Sequence, residues 1–332
     1  MAHLPPGRRA AQAATWGMAG PGRGRAYGPN GLGRRGRPAG APRLPSSLPW
    51  PAMTRPPGDL GARLLRASQA IDRAFRRFDR LRSELVVALA GDDVLDRYND
   101  LMYSGSGDYD PASPDFLDFL FPWEERTIER FFPPPPARVL VGAAGAGREA
   151  FALAERGYEI VAFDPAGGPV RSMAERIAPQ GKVAVYRAAY EDLPLLSPPV
   201  PGRARATLDA VGPFDVALLG LGSISHVRTD AGRLHALRSI AAVTGGPLVV
   251  SFLARPPSGG GREPRLRRLT ERARSRRGRD GADRFALEAG FFHPFDEPEI
   301  SELAERAGLD VIHYDADVRR VYPHAVLIDR SA

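Results

Sequence analysis

Apolar residues change their rhythm along this chain near residue 138. Before that point they recur at helical spacing. Leu64, Ile71, Phe75, Phe78 and Leu85 follow one another at intervals of 7, 4, 3 and 7, with Arg and Asp between them. Residues 59–90 are therefore expected to form an amphipathic helix. The simpler expectation packs its apolar face on the main domain; a membrane or dimer contact is the alternative. A second helix is expected to begin over Asp93–Tyr98. A third is expected across 116–132, with Pro122 at a helix start. Between them 103–115 reads as a polar loop, and the proline run 133–136 closes this helical lobe.

After Arg138, short apolar runs alternate with helical stretches. Strands are expected at 139–141, 159–163, 182–187, 214–220, 247–253, 310–316 and 324–329. Helices are expected at 147–156, 167–177, 229–243 and 297–307. Continuous apolar strands alternating with helices imply an α/β fold with a doubly wound, mainly parallel sheet covered on both faces. The last two strands are joined by only seven residues, too few for a parallel crossover, so they should be antiparallel. Residues 195–213 read as a loop or insertion, and 255–284 as an arginine-rich insertion.

Charge sharpens the domain picture. The formal charge of the 332 residues is +7, yet residues 1–53 hold eight arginines and no Asp, Glu or Lys. Removing that tail leaves −1, so the folded body is not basic. Residues 1–58 are rich in Gly, Pro, Arg and Ala without periodicity and are expected to be disordered. Met53 is an expected alternative start, and a functional basic arm is the competing reading. The domains are then a 1–58 tail, a 59–136 N-terminal helical lobe, and a 137–332 α/β domain. Cysteine is absent, which excludes disulfides, thiolate metal sites and Cys nucleophiles. No His, Asp or Glu spacing suggests a metal site. No apolar run reaches membrane-span length and no secretory signal is visible, so a soluble, cytoplasmic protein is expected.

The segment VLVGAAGAGREAFALAERGYEIVAFD carries the strongest chemistry. Gly142, Gly145 and Gly147 follow a strand and open a helix, where bare backbone can approach a ligand. Asp164 ends the next strand, 17 residues after Gly147, where a carboxylate can accept both hydroxyls of a ribose. Gly145-x-Gly147-x-x-Ala150 followed by Asp164 fits a dinucleotide fingerprint, which keeps an NAD(P)-dependent oxidoreductase open.

The order of features beyond this unit resembles the class I S-adenosylmethionine (SAM)-dependent methyltransferase family, over roughly residues 95–332. Asp164 ends the second strand. The turn Ala189-Tyr190-Glu191-Asp192-Leu193-Pro194 follows the third. Phe214-Asp215 opens the fourth and Gly245-Gly246 precedes the fifth. A helix over Glu302–Gly308 and the closing strand pair complete the set. The resemblance implies a Rossmann-like seven-stranded sheet with an antiparallel C-terminal pair, and SAM as cofactor. It implies cofactor contacts from Gly142, Ala143, Gly145, Gly147, Asp164, Pro165, Glu191, Asp192, Leu219 and Gly220, with Glu191 and Asp192 near the adenine amino group. Two positions depart from the family pattern. Ala143 stands where the first glycine is usual. Val141 stands where an acid is common that supports the methionine end of SAM.

Methyl transfer from a sulfonium is an in-line displacement helped mainly by positioning; a base is needed when the acceptor must lose a proton. His226, after the fourth strand, is the candidate general base; a surface or helix-capping His is the competing reading. Ser223 and Ser225 read as helix caps, Ser223 also as an acceptor contact. Tyr103, Tyr109, Trp123 and His293 are candidates for the acceptor pocket, with core packing as the alternative. The insertion at 255–284 has eleven arginines and four acidic residues. It suggests an acidic or phosphorylated substrate, or else a solvated helix. The expected activity is methylation of O or N on a small-molecule acceptor. An RNA methyltransferase and a catalytically silent SAM-binding protein are the alternatives. Nucleic acid is not the expected partner, and the sequence sets no oligomeric state.

Overall fold

The computed structural model describes residues 60–114, 116, 119–177, 181–199, 204–255, 265–316 and 322–331. The 1–58 tail, the Met53 start and residues 256–264 of the insertion lie outside them. The chain divides into two compact units, 1–77 and 78–332.

Among the described residues the first unit holds only the start of helix α1 (Leu60–Leu89). Leu64, Ile71, Phe75 and Phe78 are 56–69% exposed. Burial in the helix falls on Ser83, Glu84, Val87 and Ala88. At 100° per residue these lie on the opposite side from Ile71 and Phe78. The periodicity identified an apolar face but not the face that packs.

In the second unit, α2 (Asp92–Ser104) begins with two acids in its first turn, which suits the N-terminal dipole. α3 spans Pro122–Phe131 only, shorter than the expected 116–132. The start is fixed by the Glu124 carboxylate, which accepts the Phe121 N–H at 2.7 Å, so the chain before Pro122 cannot continue the helix.

The α/β body runs β1 (Arg138–Gly142), α4 (Arg148–Glu155), β2 (Glu159–Asp164), α5 (Gly167–Glu175) and β3 (Val183–Arg187). A small hairpin of β4 (Leu195–Leu196) and β5 (Ala206–Thr207) follows, then α6 (Leu208–Val211), β6 (Val216–Leu219), α7 (Asp230–Ala241) and β7 (Leu248–Ser251). The chain ends with α8 (Arg265–Ser275), the hairpin β8 (Arg284–Ala286) and β9 (Gly290–Phe292), α9 (Glu297–Ala307), β10 (Leu309–Asp315) and β11 (His324–Asp329). The segment 195–213 is thus more structured than a loop.

Seven strands form one sheet in the order β10-β11-β7-β6-β1-β2-β3. β1 pairs in parallel with β2 and with β6, and β2 with β3. β11 pairs antiparallel with β10, as the short connection required, and antiparallel with β7 as well. Two apolar cores flank the sheet. One gathers Leu140, Leu219, Leu237, Phe252 and Leu303; the other gathers Trp123, Val139, Leu153, Met173 and Leu218. This is the expected Rossmann-like architecture. The chain builds β1 to β3 outward, then returns to lay β6 on the other side of β1. That reversal opens a crevice at the carboxyl ends of β1 and β6, the place where open α/β sheets bind ligands.

Candidate functional site

A cavity of about 380 Å³ occupies this crevice, within the size range of small-ligand sites. Its floor comes from the ends of four strands: Ala143 after β1, Phe163 to Ala166 at the end of β2, Ala188 to Asp192 after β3, and Gly220 and Leu221 after β6. Asp96, Asn99, Asp100 and Tyr103 from α2 and Tyr109 beyond it form one wall; Ser223, His226, Val227 and Arg228 form another.

Backbone conformation around this floor is unusual. Ala143 and Leu221 both adopt positive φ, 50° and 49°, a region non-glycine residues rarely enter. Strain of this kind, of order 1–3 kcal/mol each, sits on the two strands that bound the crevice. Ala143 therefore keeps the left-handed turn that a glycine would adopt freely. Gly145 also has positive φ, and a Cβ there would lie 2.6 Å from the Tyr109 ring; the tyrosine rests directly on its bare Cα. Gly142 and Gly147 play a different part. A Cβ on Gly142 would meet Leu219, Tyr190 and Phe163, and one on Gly147 would meet Phe151 and Met173. These two glycines allow close packing behind the cavity and do not line it. Leu219 is likewise fully buried in the core.

Asp164 organises the turn. One carboxylate oxygen accepts the Gly145 N–H at 2.9 Å and the other the Ala166 N–H at 2.8 Å. Burial pushes its pKa up to about 6, against the lowering effect of those two amides. The Pro165 carbonyl accepts from Arg187 at 3.0 Å. Glu191 and Asp192 occupy a short 3-10 turn at the rim, where the Asp192 carboxylate accepts the Ala189 N–H at 3.2 Å.

Tyr103 and Tyr109 pack edge to face with ring centroids 5.5 Å apart, and Tyr103 meets His226 in the same manner at 6.3 Å. Burial raises both tyrosines above the ordinary phenol range, so they are neutral hydroxyls at physiological pH. His226 Nδ1 lies 2.8 Å from the carbonyl oxygen of Phe291 on β9. A carbonyl only accepts, so Nδ1 carries the hydrogen and Nε2 keeps its lone pair. Burial lowers the His226 pKa, which keeps the ring in this neutral form. Ser223 bonds Tyr190 at 2.8 Å through their hydroxyls. Ser225 accepts the Leu253 N–H at 2.9 Å and faces the fold instead.

Two expected acceptor residues fall elsewhere. Trp123 is 1% exposed and stacks near His324, with centroids 4.6 Å apart; it is a core residue. His293 is buried and bonds Asp283 at 2.8 Å, away from the cavity lining. Asp280, Asp283 and His293 offer ligand atoms within 4.8 Å of one another, a grouping that sequence spacing did not announce. The Asp283 carboxylate also accepts the Asp280 backbone N–H, and the Asp280 carboxylate accepts the Ala282 N–H. Sequence reasoning also missed Asn99, Asp96, Arg228 and Phe163 on the cavity wall. No motif marks them, and only tertiary packing brings α2 against the strand ends.

Three arginines in the described part of the insertion bind the fold itself, while Arg268, Arg272 and Arg276 are exposed. Arg274 donates to Glu84 at 2.9 Å and Arg279 pairs with Asp92. Arg277 donates to the Leu89 carbonyl at 3.1 Å. These guanidinium groups fasten α1's last turns and α2 to the body.

No family model matches the chain, and no curated protein does. Solved structures are similar to it at low identity. The CcbJ methyltransferase from Streptomyces caelestis is 16% identical over 59% of this chain and 84% of its own, with a TM-score of 0.41. A SAM-bound amino pentose methyltransferase of calicheamicin biosynthesis from Micromonospora echinaspora is 17% identical over 61% and 86%, with a TM-score of 0.42. The [4+2]-cyclase SpnF is 18% identical over 60% and 60%, with a TM-score of 0.41. No described helix is long and apolar enough to cross a membrane.

Proposed function

We propose that this protein is a SAM-dependent methyltransferase that methylates O or N of a small-molecule acceptor. The observation that carries the reading is the juxtaposition, in one cavity, of the Asp164–Gly145 turn and a histidine held in its base tautomer. The residues present fit the cofactor. Asp164 offers a buried carboxylate to ribose hydroxyls, and the Glu191–Asp192 turn offers acceptors to an adenine amino group. Gly145 and Gly220 line the cavity beside these carboxylates. When bound, SAM supplies an electrophilic methyl on sulfur.

The chain's own residues do the rest. Tyr103 and Tyr109 wall the acceptor and exclude water. His226 Nε2 accepts the acceptor's proton, while the Phe291 carbonyl holds Nδ1–H and favours the imidazolium that results. The size of the cavity, about 380 Å³, supports a compact small-molecule acceptor. The test is calorimetric titration with S-adenosylhomocysteine (SAH) and with NAD(P), followed by labelled-methyl transfer to candidate acceptors. Saturable NAD(P) binding with none of SAH would overturn the reading. SAH binding without transfer to any acceptor would favour a silent SAM-binding protein.

A further inference from the structure

Behind the glycine turn lies a buried group of charges that does not balance. Arg148 and Glu149 open α4, and Glu124 sits in the first turn of α3; their exposures are 5%, 3% and 0%. The Arg148 guanidinium donates to both Glu124 oxygens, at 2.7 and 2.6 Å, and to Glu149. Its remaining hydrogen bond goes to the Phe119 carbonyl at 2.7 Å, and its face covers the Phe121 ring at 4.5 Å. One cation thus faces two carboxylates, and Arg148 is spent mainly on Glu124. Burial holds the Glu149 pKa above the usual carboxylate range; Arg148 opposes this and Glu124 adds to it. An excess negative charge in the interior is costly unless something compensates it.

Its position says what could compensate it. A Cβ built on Gly220 would collide with the Glu149 carboxylate, so that carboxylate lies directly behind the backbone of a cavity-lining residue. The neutral hydroxyls of Tyr109, Tyr190 and Tyr322 are the other titratable groups that feel it. Across the cavity floor the strands run β3, β2, β1, β6. With adenine at the Glu191–Asp192 turn beside β3 and ribose at Asp164 on β2, the methionine end reaches the β1–β6 side, at Gly220. The sequence lacks an acid at that end: Val141 is apolar and 1% exposed.

Resting on the cofactor proposed above, we infer that Glu149 is the counter-charge for the cofactor's α-ammonium, acting across Gly220 in place of an acid at 141. Glu149 is a positioning residue for the methionine end and takes no part in bond making.

The experiment compares two ligands on the full chain by calorimetry: SAH, and the SAH analogue whose amino group is replaced by hydrogen. Glu149→Gln should weaken SAH by on the order of 10- to 100-fold, the scale of one charge pair at intermediate dielectric, and leave the analogue within about twofold. Its unfolding temperature should hold or rise, because the surplus charge is gone; a salt bridge with a purely structural role would lower it. Equal weakening of both ligands, or unchanged SAH affinity, would overturn the inference. If the variant does not fold, the wild-type protein decides. Its preference for SAH over the analogue should shrink on acidification as Glu149 protonates, while protonation of Asp164 affects both ligands alike. A preference that stays constant with pH would also overturn it. A wild-type protein that binds NAD(P) and neither SAH ligand defeats the cofactor reading itself, an outcome distinct from loss of the Glu149 role.

Discussion

Replacing Asp164 with Ala separates folding from recognition in this site. In the free protein its carboxylate is a mixed asset. Burial raises its pKa from 3.8 to about 6. For an acid with a raised folded-state pKa, the folded state prefers the proton. Stability is then greatest below the unfolded value and declines as pH rises through about 4 to 6. The full decline is about 3 kcal/mol, at roughly 1.4 kcal/mol per unit. Asp164→Ala removes that penalty at neutral pH. It also strands the Gly145 and Ala166 amides, each bonded to the carboxylate at under 3 Å, at about 1–3 kcal/mol apiece. The two effects largely offset, so thermal unfolding should shift little. Binding has no such offset. Two ribose hydroxyls donating to a carboxylate contribute about 1.5–3 kcal/mol each, so SAH should bind roughly 10²- to 10⁴-fold more weakly. An SAH analogue lacking both ribose hydroxyls should bind wild type and variant nearly alike. In the wild type, the preference for SAH over that analogue should rise with pH up to about 6 and then level off, because only the ribose of SAH selects the ionised Asp164 carboxylate. Calorimetry with both ligands reads all of this. If the variant keeps the wild-type preference for SAH over the analogue, the ribose assignment is wrong.

Other substitutions probe the remaining parts. His226→Phe should reduce kcat by about 10²- to 10⁴-fold with SAH affinity unchanged. The acid limb of the wild-type rate profile should lie below 6.5, the direction in which burial moves this ring, and a variant that keeps that limb would exclude His226 as its source. Gly145→Ala should destabilise the fold by about 1–3 kcal/mol from positive φ alone, with a further loss from contact with Tyr109. A Tyr109→Ser background should return only the second part, as a double-mutant cycle in thermal unfolding would show. Arg279→Ala should lower stability by about 1–2 kcal/mol, because Asp92 is its exposed partner, without altering the charge preference for acceptors. A switch in that preference would restore the insertion as a substrate contact.

Much of the sheet was legible because its strands are buried on both faces and read as unbroken apolar runs, such as 139–141 and 216–219. The antiparallel pairing of the last two strands followed from their short connection, whereas the order of the strands in the sheet did not. The glycine turn was legible as a unit, yet its members proved unequal. Gly145 faces the cavity while Gly142 and Gly147 serve packing, a division set by contacts from Leu219, Tyr190 and Met173 that lie far off in sequence. The positive φ of Ala143 and Leu221 had no signature, since neither residue type favours it. Trp123 and Tyr109 looked equivalent as aromatics in the N-terminal lobe. The chain before Pro122 and the Glu124 cap turn Trp123 into the core, whereas the short turn after Ser104 lays Tyr109 on Gly145. For α1, the apolar stripe was legible but its partner was not, because periodicity describes one surface only.

The manner in which α2 is held bears on how the acceptor site responds to its medium. This helix carries Asp96, Asn99, Asp100 and Tyr103 to the cavity, yet only Leu95 is buried among its residues. Its first turns are tied down by Arg228 and Arg279 through Asp92 and Asp96. Partly exposed ion pairs weaken as salt rises, whereas apolar packing does not. The α2 wall of the pocket is therefore tied partly by exposed ion pairs, whereas the Asp164 floor is built into the sheet. Ionic strength should act on this protein as a dial for acceptor fit, loosening the Tyr103 side while the Asp164 side stays as it is.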